Sequence, residues 1–196
     1  MFNKRLLPLL AFAFSLAGCG DNSLLSGSFT DSRDDQVYRT VRIGGRTWMA
    51  ENLNFATDSG SWCYGNNASN CNIYGRLYDW NTAMTACPAG WKLPTIGDWN
   101  ALVKAAEANG WNAGERLKSR SPGWDGTDDL GFSALPGGGR GNDGSFWNVG
   151  DDGYWWSATE FGASNANYRY MYYDNEGVYS NWDFKDGGLS VRCVRD

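Results

Sequence analysis

Five cysteines and no histidine in 196 residues set the limits of the chemistry this chain can do. Without an imidazole there is no Ser-His-Asp or Cys-His nucleophile, no His-ligated zinc and no histidine pH switch. No pair of cysteines has C-x-x-C spacing, which argues against a redox pair or a thiolate metal site. Setting Cys19 aside leaves Cys63, Cys71, Cys87 and Cys193, an even number that suits an oxidising compartment. Three pairings are open to these four. The polar loop 64–70 favours a local Cys63–Cys71 bridge, which leaves Cys87 and Cys193 to close the domain end to end.

Hard oxygen ligands and flat rings gather in a glycine-rich stretch, Leu135 to Gly153, which has no helix or strand pattern. Asn142, Asp143, Asp151 and Asp152 are of the type calcium uses, although Asn, Asp and Gly are equally turn residues. Calcium is the one cation they would suit, and no cofactor is required. Phe146, Trp147 and, later, Trp182 offer faces for stacking on sugar rings, with Arg140 as a nearby cation. Tyr168, Tyr170 and Tyr172 alternate and therefore share one strand face, a pattern that suits recognition or a half-buried sheet. An acid and base pair such as Asp151 and Glu160 is conceivable, but nothing distinguishes it among 22 acidic residues. A non-catalytic role is expected.

The elements that must position these residues are legible in part. Trp80, Ala83, Met84 and Cys87 recur at helical spacing before Pro88, giving a short helix with its cysteine inward. Thr95 and Asp98 form a variant capping box for a second helix with Trp99, Leu102, Val103 and Ala106 on its buried stripe, ending at Asn109-Gly110. Val37–Ile43 and Thr47–Ala50 flank Gly44-Gly45 as a hairpin. Tyr154–Thr159, Asn167–Tyr173, Val178–Phe184 and Leu189–Val194 are strand candidates. Strands outnumber the two helices and follow them, which predicts an α+β domain with small, mostly antiparallel sheets, long glycine-rich loops and disulfide staples.

At the N-terminus Lys4 and Arg5 precede an apolar run, Leu6 to Ala17, too short to span a membrane and ending Leu16-Ala17-Gly18-Cys19. This resembles the lipobox of bacterial lipoproteins. The resemblance implies a signal peptide over 1–18, lipid on Cys19 and a membrane anchor. Gly20, in place of an aspartate, points to the outer membrane or cell surface. Residues 19–36, rich in Ser, Asp and Gly, read as a flexible tether to a domain over 37–196. Loss of residues 1–18 would take the formal charge from −5 to −7, so nucleic acid is not an expected partner.

Five ordered segments carry a second resemblance: Thr47-Trp-Met-Ala-Glu-Asn-Leu-Asn54, Gly75-Arg-Leu-Tyr-Asp-Trp80, Cys87-Pro-Ala-Gly-Trp-Lys-Leu-Pro-Thr95, Tyr154-Trp-Trp-Ser-Ala-Thr159 and Ser190-Val-Arg-Cys-Val194. Together they resemble the Fibrobacter succinogenes major paralogous domain family, found in secreted proteins and lipoproteins. More distantly, the arrangement is similar to the C-type lectin-like fold, which implies a long-range bridge from the first helix to the last strand. The calcium-binding tripeptides of its sugar-binding members are absent, so the resemblance does not extend to calcium-dependent sugar binding. The expected function is a surface or envelope binding and adhesion module, for extracellular polysaccharide or a partner protein. A structural or assembly role in the envelope is the alternative.

Overall fold

The structure, a computed structural model, describes residues 26–107 and 112–196. The signal peptide, Cys19 and the Asn109-Gly110 helix stop lie outside the described residues. Two sheets carry the domain. The first is antiparallel, with β1 (Ser26–Thr30), β2 (Val37–Ile43), β3 (Arg46–Met49) and β12 (Val194–Arg195) side by side in that order. Gly44 and Gly45 both sit at positive φ and turn β2 into β3, as the sequence predicts.

Strand β1 corrects the tether reading, because residues 26–36 belong to the domain. Phe29 pairs in register with Tyr38 and packs edge-on against Trp91 at 5.3 Å. The turn that follows is locked by buried Asp31, whose carboxylate accepts two hydrogen bonds from the Arg33 guanidinium at 2.7 and 2.9 Å. Only Phe29 of this strand packs inward, so no apolar alternation announced it.

The second sheet runs β10 (Tyr179–Phe184), β9 (Asn165–Tyr172), β8 (Asp152–Glu160), β11 (Leu189–Ser190), β5 (Leu77–Tyr78) and β4 (Ser61–Trp62). It is mostly antiparallel, with a parallel contact between β8 and β11. The expected strand Leu189–Val194 is instead two short strands in different sheets, and the chain crosses between the sheets at Val191–Cys193. Leu135–Gly153 is likewise not a loop. It folds as a hairpin of β6 (Gly137–Arg140) and β7 (Phe146–Val149), joined to β8 through Gly138 and Gly153.

Four α-helices occur among the described residues, not two: α1 (Ala68–Tyr74), α2 (Trp80–Ala86), α3 (Ile96–Ala106) and α4 (Ala113–Leu117). The extra two, α1 and α4, are short, of seven and five residues. Polar α1 is held by its Asn67 cap and by the bond from Cys71 to Cys63. In α2 the inward face is Trp80, Ala83 and Ala86, while Met84 points to solvent. None of the described helices is long and apolar enough to cross a membrane. Both expected disulfides are present, and Cys87–Cys193 ties the end of α2 to the approach to β12.

Two apolar cores lie on opposite sides of β8, whose consecutive Trp155 and Trp156 enter one each. Their indole N–H groups are paired: Trp155 donates to Asn52 Oδ1 at 2.8 Å and Trp156 to the Tyr78 carbonyl at 2.7 Å. A core this rich in tryptophan thereby avoids the cost of buried, unpaired donors.

The α3 capping box yields the first prediction. Asp98 accepts from the Thr95 backbone N–H and hydroxyl at 2.9 and 2.8 Å, and pairs with Arg46 at 2.7 Å. Burial would raise the Asp98 pKa, but the Thr95 hydrogen bonds, with Lys92 and Arg46, outweigh it and hold it below the usual carboxylate value. A carboxylate so depressed stabilises the fold above roughly pH 4, and that contribution is lost as pH falls through the folded value. Asp98→Asn is expected to cost about 1–2 kcal/mol at neutral pH, with the gap to wild type closing on acidification. Urea melts at pH 7 and pH 3 check both statements.

Candidate binding surface

One face of β8, β9 and β10 carries a terrace of tyrosines. Across β8 and β9, Tyr154 stands opposite Tyr170 and Trp156 opposite Tyr168; across β9 and β10, Tyr170 stands opposite Tyr179 and Tyr168 opposite Asn181. The shared face that sequence alternation predicts for Tyr168, Tyr170 and Tyr172 is therefore present. Ring centroids of Tyr170 lie 5.3 Å from Tyr179, 5.0 Å from Tyr172 and 6.1 Å from Tyr154. Pairs at these separations each contribute about 0.5–1.5 kcal/mol beyond their buried area. Exposure rises outward, from fully buried Trp156 to Tyr172 at 38% and Tyr179 at 36%, because β10 is an edge strand.

Trp147 of β7 closes the inner end of the terrace, edge-on to Tyr154 at 4.6 Å. It is half-buried rather than the exposed contact its sequence position suggests. Its indole lies across Gly139, where a Cβ would meet the ring at 2.3 Å. That close approach explains the glycine-rich strand: β6 has no side chains where Trp147 must lie. Gly139→Ala is expected to displace the indole and cost about 1–3 kcal/mol, visible as a shift in near-ultraviolet circular dichroism and in the melting midpoint.

Polar groups border the rings. Asp152, buried, accepts from the Tyr154 hydroxyl at 2.8 Å and from Asn148 Nδ2 at 2.7 Å. On β10, the Asn181 and Asp183 side chains accept from the backbone N–H groups of Trp182 and Phe184, which leaves the edge strand with fewer free donors. Burial, then Asp183, pushes the Tyr168 hydroxyl up to about 12, and burial also raises Asp183. Burial raises the Tyr154 hydroxyl further. These phenols therefore stay neutral, each a flat apolar ring with one hydroxyl at its tip, an arrangement that stacks and hydrogen-bonds at once.

The other sequence-predicted residues are scattered. Arg140 lies over the Trp62 ring at 4.1 Å, and Phe146 leans on Tyr64 at 5.1 Å. Asn142 and Asp143 sit in the β6–β7 turn, where Asp143 accepts from the Ser145 backbone and hydroxyl at 2.9 and 2.6 Å. Asp151 is in the next turn, exposed. Of the four oxygen-bearing candidates only Asp152 borders the terrace. Among the described residues no group of three or more Asp, Glu or Cys side chains is placed to hold a metal ion. Asp151 and Glu160 stand at opposite ends of β8, roughly 30 Å apart at ordinary strand rise, beyond the reach of a glycosidase pair. Trp182 is exposed, but on the opposite face of the sheet, stacked on Phe161. Sequence reasoning missed Tyr179, Asn181 and Asp183, although the alternation Tyr179-Ser-Asn-Trp-Asp-Phe184 places them on one face.

Fold and surface together define a disulfide-stapled α+β domain that displays aromatic side chains along an edge of its larger sheet. The chain belongs to the Fibrobacter succinogenes major domain family, whose profile matches residues 41–195. No curated protein and no solved structure matches it. Three of the segments that carry the resemblance meet in a buried hub, not on the terrace. Asn52 Oδ1 accepts from Trp155 at 2.8 Å and from Arg192 at 2.8 and 3.1 Å, while Asn52 Nδ2 donates to the Tyr74 carbonyl at 2.8 Å. The guanidinium of Arg192 also donates to the carbonyls of Met49, Phe132 and Ser133. Burial lowers its pKa to about 9, so it remains charged at neutral pH.

Proposed function

We propose that this chain is a lipid-anchored envelope lipoprotein whose domain is a non-catalytic binding module for extracellular polysaccharide. The tyrosine terrace carries the reading: a row of rings with exposed outer members and hydroxyl, amide and carboxylate groups at the rim suits sugar rings. The anchor rests on the N-terminal basic, apolar and Leu16-Ala17-Gly18-Cys19 pattern, and two disulfides suit an oxidising compartment. A C-type lectin-like fold is supported by the Cys87–Cys193 staple, the excursion between α4 and β8, and the return of the last strand beside the N-terminal hairpin. With β1 beginning at Ser26, six residues separate it from Cys19, at most about 25 Å of chain, so the domain would sit close to the bilayer.

Two measurements on the full chain test this. Cys19→Ser should abolish incorporation of labelled palmitate, and unchanged labelling would refute the anchor. The purified protein should be retained on at least one of insoluble cellulose, xylan or mannan, with the chelator EDTA present. Failure on all three would remove the polysaccharide role.

A further inference from the structure

The opposite face of β9 and β10 carries a second, separate set of groups. Trp182 stands across from Asn167, and Ser180 across from Arg169. Trp182 stacks on Phe161 with centroids 5.2 Å apart and planes 9° from parallel, yet the two rings remain 45% and 59% exposed. Each ring shields one face of the other and leaves its outer face to solvent, so the platform is ordered before any ligand arrives.

Arg169 is the second observation. It is 8% exposed, and among the described residues its side chain donates one hydrogen bond, to the neutral Asn100 side chain, while its buried Nε has no partner. Among the described residues it forms no ion pair. The contrast with Arg192, also buried but bonded to four different residues, is direct. Burial pulls the Arg169 pKa down, a penalty that an anion beside it would relieve. As diagonal neighbours on one sheet face, Trp182 and Arg169 have Cβ atoms about 7–8 Å apart. Ser180 stands across from Arg169 and two residues from Trp182 on the same face, while the Asn167 amide nitrogen donates to the Thr159 and Glu160 carbonyls at 3.2 Å.

We propose that this face binds an acidic saccharide, with a sugar ring stacked on Trp182 and its uronate carboxylate held by Arg169. A planar guanidinium fork matches a carboxylate, and a flat ring matches the indole. The Ser180 hydroxyl beside them matches a ring hydroxyl. The domain is acidic overall, so long-range attraction does not gather the polyanion and the contacts must be local.

Titration of the full chain with trigalacturonate, followed by tryptophan fluorescence, tests this directly. Saturable quenching is expected, and the carboxyl-reduced trisaccharide should give none. Trp182→Ala should weaken binding at least about tenfold while the protein stays folded, its melting midpoint lowered only by the lost stack on Phe161. Arg169→Gln should do the same and Arg169→Lys should recover part of the loss; if Arg169→Gln fails to fold, Trp182→Ala decides. Tyr172→Ala/Tyr179→Ala on the other face should leave trigalacturonate binding intact, which separates this site from the terrace. No binding of trigalacturonate, or binding unchanged in Trp182→Ala, would overturn the proposal.

Discussion

Replacing Asn52 by alanine is expected to destabilise the domain by about 3–5 kcal/mol, the largest effect of any single truncation considered. Its amide oxygen receives both Arg192 and Trp155, and its amide nitrogen reaches Tyr74 and Ser190. All of these groups except the Tyr74 side chain are buried, so water does not replace what alanine removes. A buried guanidinium loses an acceptor, and an indole N–H is orphaned. Arg192→Met should also destabilise, because the carbonyls of Met49, Phe132 and Ser133 lose their donor. The double variant should cost clearly less than the sum of the two, since both changes dismantle one network. Urea unfolding followed by far-ultraviolet circular dichroism measures all three; a loss under 1 kcal/mol for Asn52→Ala would mean that the hub does not hold the sheets together.

The second large effect is expected at the long disulfide. Converting Cys87 and Cys193 to serine frees a loop spanning 106 residues. Chain entropy assigns such a closure about 4.7 kcal/mol, against roughly 2.5 kcal/mol for the short Cys63–Cys71 loop. Cys193 is fully buried between β11 and β12, so two new hydroxyls there add a packing cost. The ranking is the testable content: the long-bridge variant should melt well below the short-bridge variant. Equal midpoints would show that the local loop stiffens the fold as much as the end-to-end staple.

Much of this architecture was legible in the sequence because it follows local rules. The capping residues Thr95 and Asp98, the Gly44-Gly45 turn and the alternation of Tyr168, Tyr170 and Tyr172 each announce a backbone state through neighbouring residues. The errors share one cause, in that long-range packing decided what local pattern did not. β6 reads Gly-Gly-Gly-Arg and has no strand signature, since its form depends on an indole ten residues away in sequence order or nearer. β1 is polar except for Phe29, and pairing with β2 makes it a strand. Leu189–Val194 has strand composition throughout, yet it breaks where Arg192 turns into the hub and the chain passes from one sheet to the other.

The candidate site divides the same way. Trp147 and Trp182 are both large and flat, but the fold puts them on opposite faces of the sheet with different neighbours. Arg169 carries no signal in the sequence, because the absence of an ion-pair partner and of an acceptor for its Nε among the described residues is a property of the folded surroundings. Three of the five segments that carry the family resemblance, meanwhile, meet at Asn52, Trp155 and Arg192. The hub holds the sheets, while the exposed ends of β9 and β10 present the residues that would choose a ligand.

That division is tested most directly by affinity electrophoresis of wild type and Tyr172→Ala/Tyr179→Ala through gels containing soluble xylan or mannan. Wild type is expected to be retarded by at least one polysaccharide, and the double variant, folded but melting several degrees lower because it loses the ring pairs with Tyr170, to migrate freely. Equal retardation of the two proteins, or retardation of neither, would contradict it.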